Sequence, residues 1–185
     1  MKFTVSLLLI CLFSSINLVS AQEADSTEVY KIADPVSMGF GMGQDYGGIG
    51  ANVLVYPQEN FGLFGGVGYA YAGMGYNVGA KVRFFSEKNP RTNFFITGMY
   101  GYNAAVAVKG ASDYNKFFYG PTIGFGIDTG KRSYKKGYWT MALLIPFRES
   151  AVKDYMDYLE DENGVEFKGA LLPFTFSIGY RFALD

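Results

Sequence analysis

The chain contains no histidine. That absence excludes Ser-His-Asp nucleophilic chemistry and histidine-ligated metal centres. Its one cysteine, Cys11, lies in an N-terminal apolar run, so the remainder has no disulfide, thiolate nucleophile or cysteine-ligated metal. Ile10 before it is too large for a lipid-attachment cysteine. A net charge of -1 offers little attraction to nucleic acid, and no nucleic-acid partner is expected. Residues 61–80 carry no charge, but they alternate, hold seven glycines and include a turn signal, so a transmembrane helix is the poorer reading. The serines at Ser37, Ser86, Ser112, Ser133, Ser150 and Ser177 have no evident base beside them and read as structural. No cofactor is expected and the chain does not read as an enzyme.

What is plentiful is glycine, with 24 residues, and aromatic side chains, at 18%. Disordered chains lack aromatics, and helical bundles avoid glycine because each interior Gly costs about 1 kcal/mol relative to Ala. Together they point to β-structure with frequent turns. Lys2, the apolar stretch from Phe3 to Phe13 and the small residues Val19-Ser20-Ala21 match a secretory signal cleaved after Ala21. The expected organisation is a signal at 1–21, a polar leader at 22–35 and a barrel domain at 36–185.

Eight segments alternate with period two: 36–44, 48–57, 61–71, 76–85, 94–108, 117–128, 138–148 and 174–184. The last sets Phe174, Phe176, Ile178, Tyr180, Phe182 and Leu184 against Thr175, Ser177, Gly179, Arg181 and Ala183. Successive strand side chains point to opposite sides, so each segment has one oily face and one small or polar face. Short turns are expected at 45–47, 58–60 and 72–75, and Asn89-Pro90 marks another. The longest connection, 149–173, carries Ala151, Val152, Tyr155, Met156 and Leu159 at helical spacing, which predicts a short amphipathic helix. It also carries Glu149, Asp154, Asp157, Glu160, Asp161, Glu162 and Glu166, read as a solvated acidic flap; Leu159 interrupts the alternating oxygen ligands that a calcium loop around Asp161 to Gly164 needs. The Gly-x-Gly runs at 39–43 and 124–126 lie on strand faces with no helix following, so they are not phosphate loops.

Of 33 charged residues, only Lys81, Arg83, Asp128, Arg148 and Arg181 fall inside the eight segments. A water-soluble barrel would leave an oily or glycine-rich face wet. In a bilayer the oily face meets lipid, the small and polar face fills the interior, and charge collects outside the hydrocarbon. A segment of about 11 residues, at roughly 3.3 Å each and tilted near 40°, rises about 28 Å, close to the apolar band of transmembrane barrels. The expectation is an all-β, eight-stranded, antiparallel up-and-down transmembrane barrel, with a long helix-bearing loop between strands 7 and 8. Eight strands leave an interior that side chains fill.

This pattern, with the aromatic-rich last segment 174–182, resembles the small outer-membrane β-barrel family of OmpA/OmpX-like architecture over residues 36–184. In that family the last strand usually ends on an aromatic; here Phe182 is followed by Ala183, Leu184 and Asp185. The resemblance implies the bacterial outer membrane, outer-membrane lipids and lipopolysaccharide as neighbours, and the barrel-insertion machinery as a partner during biogenesis. With both ends of the chain periplasmic, the 149–173 loop faces outward and is where an extracellular partner would dock. The family's members differ in job, so fold alone assigns no activity. Its histidine-dependent lipases and proteases are excluded.

Two groups of residues stand out. Lys81, Arg83, Asp128 and Arg181 point inward, with Arg83, Asp128 and Arg181 toward the periplasmic end, and read as an ion network that plugs the lumen. Pro121 and Pro146 each remove a ladder hydrogen bond on neighbouring strands, so they could mark a lateral seam, or simply tolerated prolines at bulges. The expected role is non-enzymatic, structural or surface-interacting. The alternatives are binding or transport of a lipid or small hydrophobic ligand through the mouth or seam, a narrow pore, and a soluble secreted ligand-binding barrel.

Overall fold

The computed structural model describes residues 34–85, 91–108, 111–130, 137–163, 165, 167 and 171–184. The expected signal at 1–21, the expected leader as far as residue 33, Asn89-Pro90, Ser86, Ser133 and Glu166 lie outside the described residues. Eight strands are present: β1 (Val36–Gly43), β2 (Gly48–Val55), β3 (Phe61–Tyr69), β4 (Met74–Phe84), β5 (Thr92–Val106), β6 (Lys116–Gly130), β7 (Tyr138–Pro146) and β8 (Thr175–Leu184). A helix, α1 (Ser150–Asn163), lies between β7 and β8. Each strand pairs antiparallel with its sequence neighbour, and β1 pairs with β8, so the sheet closes into a barrel.

All eight expected segments are strands, with ends displaced by no more than two residues. Gln44 leaves β1 for a 3-10 turn at Gln44–Tyr46. β3 stops before Tyr71, whose φ of 45° is left-handed and ends the pleat. β5 and β6 are longest, at 15 residues each, because their ladder continues past a bulge between Tyr102 and Ala104.

The alternation read from the sequence sorts the side chains as expected. In β8, Ser177, Gly179 and Arg181 are buried while Phe176, Ile178 and Phe182 are exposed. In β4, Asn77, Lys81 and Arg83 are buried while Tyr76, Val78, Val82 and Phe84 are exposed. The exposed residues form the outer wall: Phe94 is 62% and Phe176 72% exposed, among many large apolar side chains on every strand. The barrel is inside-out relative to a water-soluble protein, with an apolar exterior around a largely polar interior. The interior also holds an apolar cluster of Leu54, Phe64, Phe95, Met99, Ala142 and Leu144.

The short turn expected at 45–47 does more than reverse the chain. It folds back into the lumen, where Tyr46 is fully buried. Its ring lies against Gly39, Gly41 and Gly179, and a Cβ at Gly179 would collide with the Tyr46 hydroxyl. Glycine on these inner positions therefore makes room for an inturned aromatic. Gly47, at φ 71°, supplies the left-handed residue that returns the chain to β2. Gln44 Nε2 donates to the Asn103 carbonyl at 3.1 Å and Asn77 Nδ2 to the Gln44 carbonyl at 2.7 Å, which ties the turn to β4 and β5.

Helix α1 buries Val152 and Leu159 and leaves Asp154, Asp157, Glu160, Asp161 and Glu162 exposed. Tyr155 fastens it: its hydroxyl donates to the Tyr114 carbonyl at 2.9 Å, and the Lys116 ammonium lies 4.6 Å from its ring centre.

Candidate functional site

The charges that the barrel brings inside meet near the end where β1 begins and β8 finishes. Lys81 and Arg83 lie on the inner face of β4, two residues apart, and so point the same way. Asp128 projects inward from β6 and has no exposed surface. Lys81 Nζ donates to Asp128 Oδ1 at 2.7 Å, and Arg83 Nε donates to Asp128 Oδ2 at 3.3 Å. Lys81 also lies 3.6 Å above the Phe95 ring, and the Arg83 guanidinium 4.1 Å from the Tyr56 ring centre. Three of the four charges singled out from the sequence thus form one buried cluster.

Arg181 belongs to a separate set. Its guanidinium donates to the Ser37 hydroxyl at 3.1 Å and twice to Asn52 Oδ1, at 2.7 and 2.8 Å. Neutral acceptors from β1 and β2 satisfy it, because the register sets Arg181 opposite Gly39 on β1, where no side chain intervenes.

The cluster is completed by a residue that the alternation could not reveal. Asp34, expected in the loose leader, is 2% exposed and occupies the barrel mouth. Its Oδ1 and Oδ2 each accept an Arg83 N–H at 2.9 Å, and Oδ2 also accepts the Tyr138 hydroxyl at 2.8 Å. Tyr56 N donates to the Pro35 carbonyl at 2.7 Å, so Asp34 and Pro35 form part of the mouth. The only local hint was an acidic residue directly before a proline at a strand start.

Pro121 and Pro146 come close together at one end of the β6–β7 ladder, where Thr122 faces Pro146. Phe147 N donates to the Pro121 carbonyl at 2.9 Å. In that narrow pair Pro121 has no N–H to return to the Phe147 carbonyl. Asn103 Nδ2 donates to that carbonyl instead, at 2.9 Å, from the β5 bulge. Pro146 turns its missing donor toward β8, but the β7–β8 ladder ends at Leu144 and Thr175, before it is needed. At Pro121 the missing donor is replaced by Asn103, and at Pro146 it falls beyond the end of the β7–β8 ladder. Asn103→Ala is expected to cost about 1 kcal/mol, the lower end of the penalty for an unpaired acceptor, because the Phe147 carbonyl bond is only partly buried. Pro121→Val, which restores the N–H, should offset most of that loss. Urea unfolding of the two single variants and the double variant measures both terms.

The lumen has little free space. A cavity of about 20 Å³, lined by Asp45, Asn52, Phe64, Lys81, Leu144 and Arg181 among others, has room for about one water. Among the described residues no cluster of acidic or sulfur side chains could hold a metal ion. Fold and site define a class: a closed eight-stranded barrel with an apolar wall and an ion-paired, side-chain-filled interior. Compared with protein-family models, with curated proteins and with solved structures, the chain matches none of them.

Proposed function

We propose that this chain is a bacterial outer-membrane β-barrel with a non-enzymatic role, structural or surface-interacting, exercised through the loop that carries α1. The observation that carries this reading is the inversion of its sides: large apolar residues outside on every strand, and Lys81, Arg83, Asp128 and Arg181 buried inside. A wall of this kind in water is an aggregation hazard, whereas in lipid it buries its apolar surface against hydrocarbon. Closure supports the same reading, since lipid offers no partner for a free sheet edge and this barrel has none. The packed lumen favours a plug over a pore or an internal ligand chamber. The resemblance to small outer-membrane barrels points the same way.

Fractionation of cells expressing the full chain tests the proposal. The protein is expected in the outer-membrane pellet and should stay there through an alkaline carbonate wash. Recovery in the periplasmic supernatant would overturn the membrane address and favour a soluble secreted barrel.

A further inference from the structure

We propose that the Arg83 guanidinium and the Tyr138 hydroxyl form a carboxylate-binding site, and that the chain's own Asp34 is its resident ligand. The receptor half is built wholly on the barrel wall. Arg83 projects from β4 and Tyr138 from β7, and the guanidinium is oriented without help from Asp34. Asp128 accepts from its Nε at 3.3 Å, and the Tyr56 ring lies beneath it at 4.1 Å. Its Nη2 also donates to the Tyr138 hydroxyl at 3.1 Å, which draws the two receptor groups together, and the two terminal nitrogens form a planar fork, the arrangement that binds carboxylates through two parallel bonds. The ligand half comes from elsewhere. Asp34 precedes β1 and takes no part in the β1 ladders, which begin at Val36. Both its oxygens are engaged, by the fork at 2.9 Å each and by Tyr138 at 2.8 Å. A preorganised receptor on the wall, filled by a carboxylate from the preceding segment, is an intramolecular ligand in a site with its own geometry. The ligand class is a monocarboxylate anion, whether a small free acid or an acidic side chain.

The test empties the site in the full-length chain. Asp34→Ala, refolded in detergent, is followed by the fluorescence of Trp139, the chain's one tryptophan and the neighbour of Tyr138. Its unfolding midpoint should fall below that of the unaltered protein. Sodium formate should then raise it along a saturable curve, while sodium chloride at equal concentration should not. The unaltered protein should not distinguish the two salts. Asp34→Ala combined with Tyr138→Phe should need more formate for the same shift. An aspartyl peptide amide in place of formate separates the sources: a shift with formate alone assigns a small free acid, and a shift with both assigns an acidic side chain. If Asp34→Ala refolds only when formate is present, the site is demonstrated by yield. Asp34→Ser is the second variant and should show the same preference. Equal responses to formate and chloride in both variants would overturn the proposal. So would the failure of both to refold in either salt, because Asp34 would then be an inseparable part of the barrel. The measurement does not depend on the membrane address, so a soluble location leaves its outcome standing.

Discussion

Asp128→Ala should destabilise the barrel by about 3–5 kcal/mol, the usual cost of removing one partner from a buried ion pair. Asp128 has no exposed surface and accepts from both Lys81 and Arg83. Without it Arg83 keeps Asp34, but Lys81 loses its ion partner and retains a 3.5 Å contact to the Thr140 hydroxyl and the Phe95 ring. An ammonium cannot recover its hydration there, since Lys81 is 5% exposed. The loss therefore reflects a stranded charge more than the worth of the bond. Lys81→Met combined with Asp128→Leu removes both charges and should cost much less than Asp128→Ala alone, because the desolvation penalty disappears with the pair. Denaturant midpoints in detergent or vesicles read both values. A loss below about 1 kcal/mol for the single variant would match an exposed ion pair and would mean that water reaches the cluster.

Ile123→Arg is the second substitution with a large expected effect, and it reads the environment of the wall. Ile123 is the middle residue of β6, faces outward and is 48% exposed. In a bilayer an arginine at mid-height on the lipid face costs about 2–4 kcal/mol, falling to about 0–1 near the interfaces. On a wet surface the same change stays within about 0.5 kcal/mol either way. Tyr71→Arg is the matched control, at the β3–β4 hairpin tip beyond the ladder, where the side chain is 83% exposed. Equilibrium unfolding from lipid vesicles should show a large loss for Ile123→Arg and a small one for Tyr71→Arg. Equal and small losses would remove the main support for a lipid-facing wall.

Much of the architecture was legible because its signal is local. Alternation of Phe176, Ile178 and Phe182 with Ser177, Gly179 and Arg181 needs only the two-residue period of a strand, and it assigned the inner and outer faces correctly. The amphipathic spacing of Val152 and Leu159 marked α1 for the same reason. The inward direction of Lys81, Arg83, Asp128 and Arg181 followed from parity along each strand. Their partners did not. Arg83 and Asp34 are 49 residues apart in sequence, Tyr138 and Asp34 are 104 apart, and Arg181 and Ser37 are 144 apart. Which of two inward-facing charges meets the other depends on register and height around the closed sheet, and neither is encoded by a local period. The prolines show the same limit. Pro121 advertises a missing donor, but only the paired strands reveal that Asn103, displaced by a bulge, supplies one.

The residues alone determined that this chain makes strands, how many, and which side of each is oily, because those properties are set by neighbouring side chains on one pleated backbone. The tertiary structure decided the rest: that the Gln44–Tyr46 turn enters the lumen, that Asp34 closes the mouth, and that Arg181 rests on neutral acceptors. Each depends on closure, which places strands remote in sequence around one narrow space and forces every buried polar group to be satisfied by whatever stands across from it.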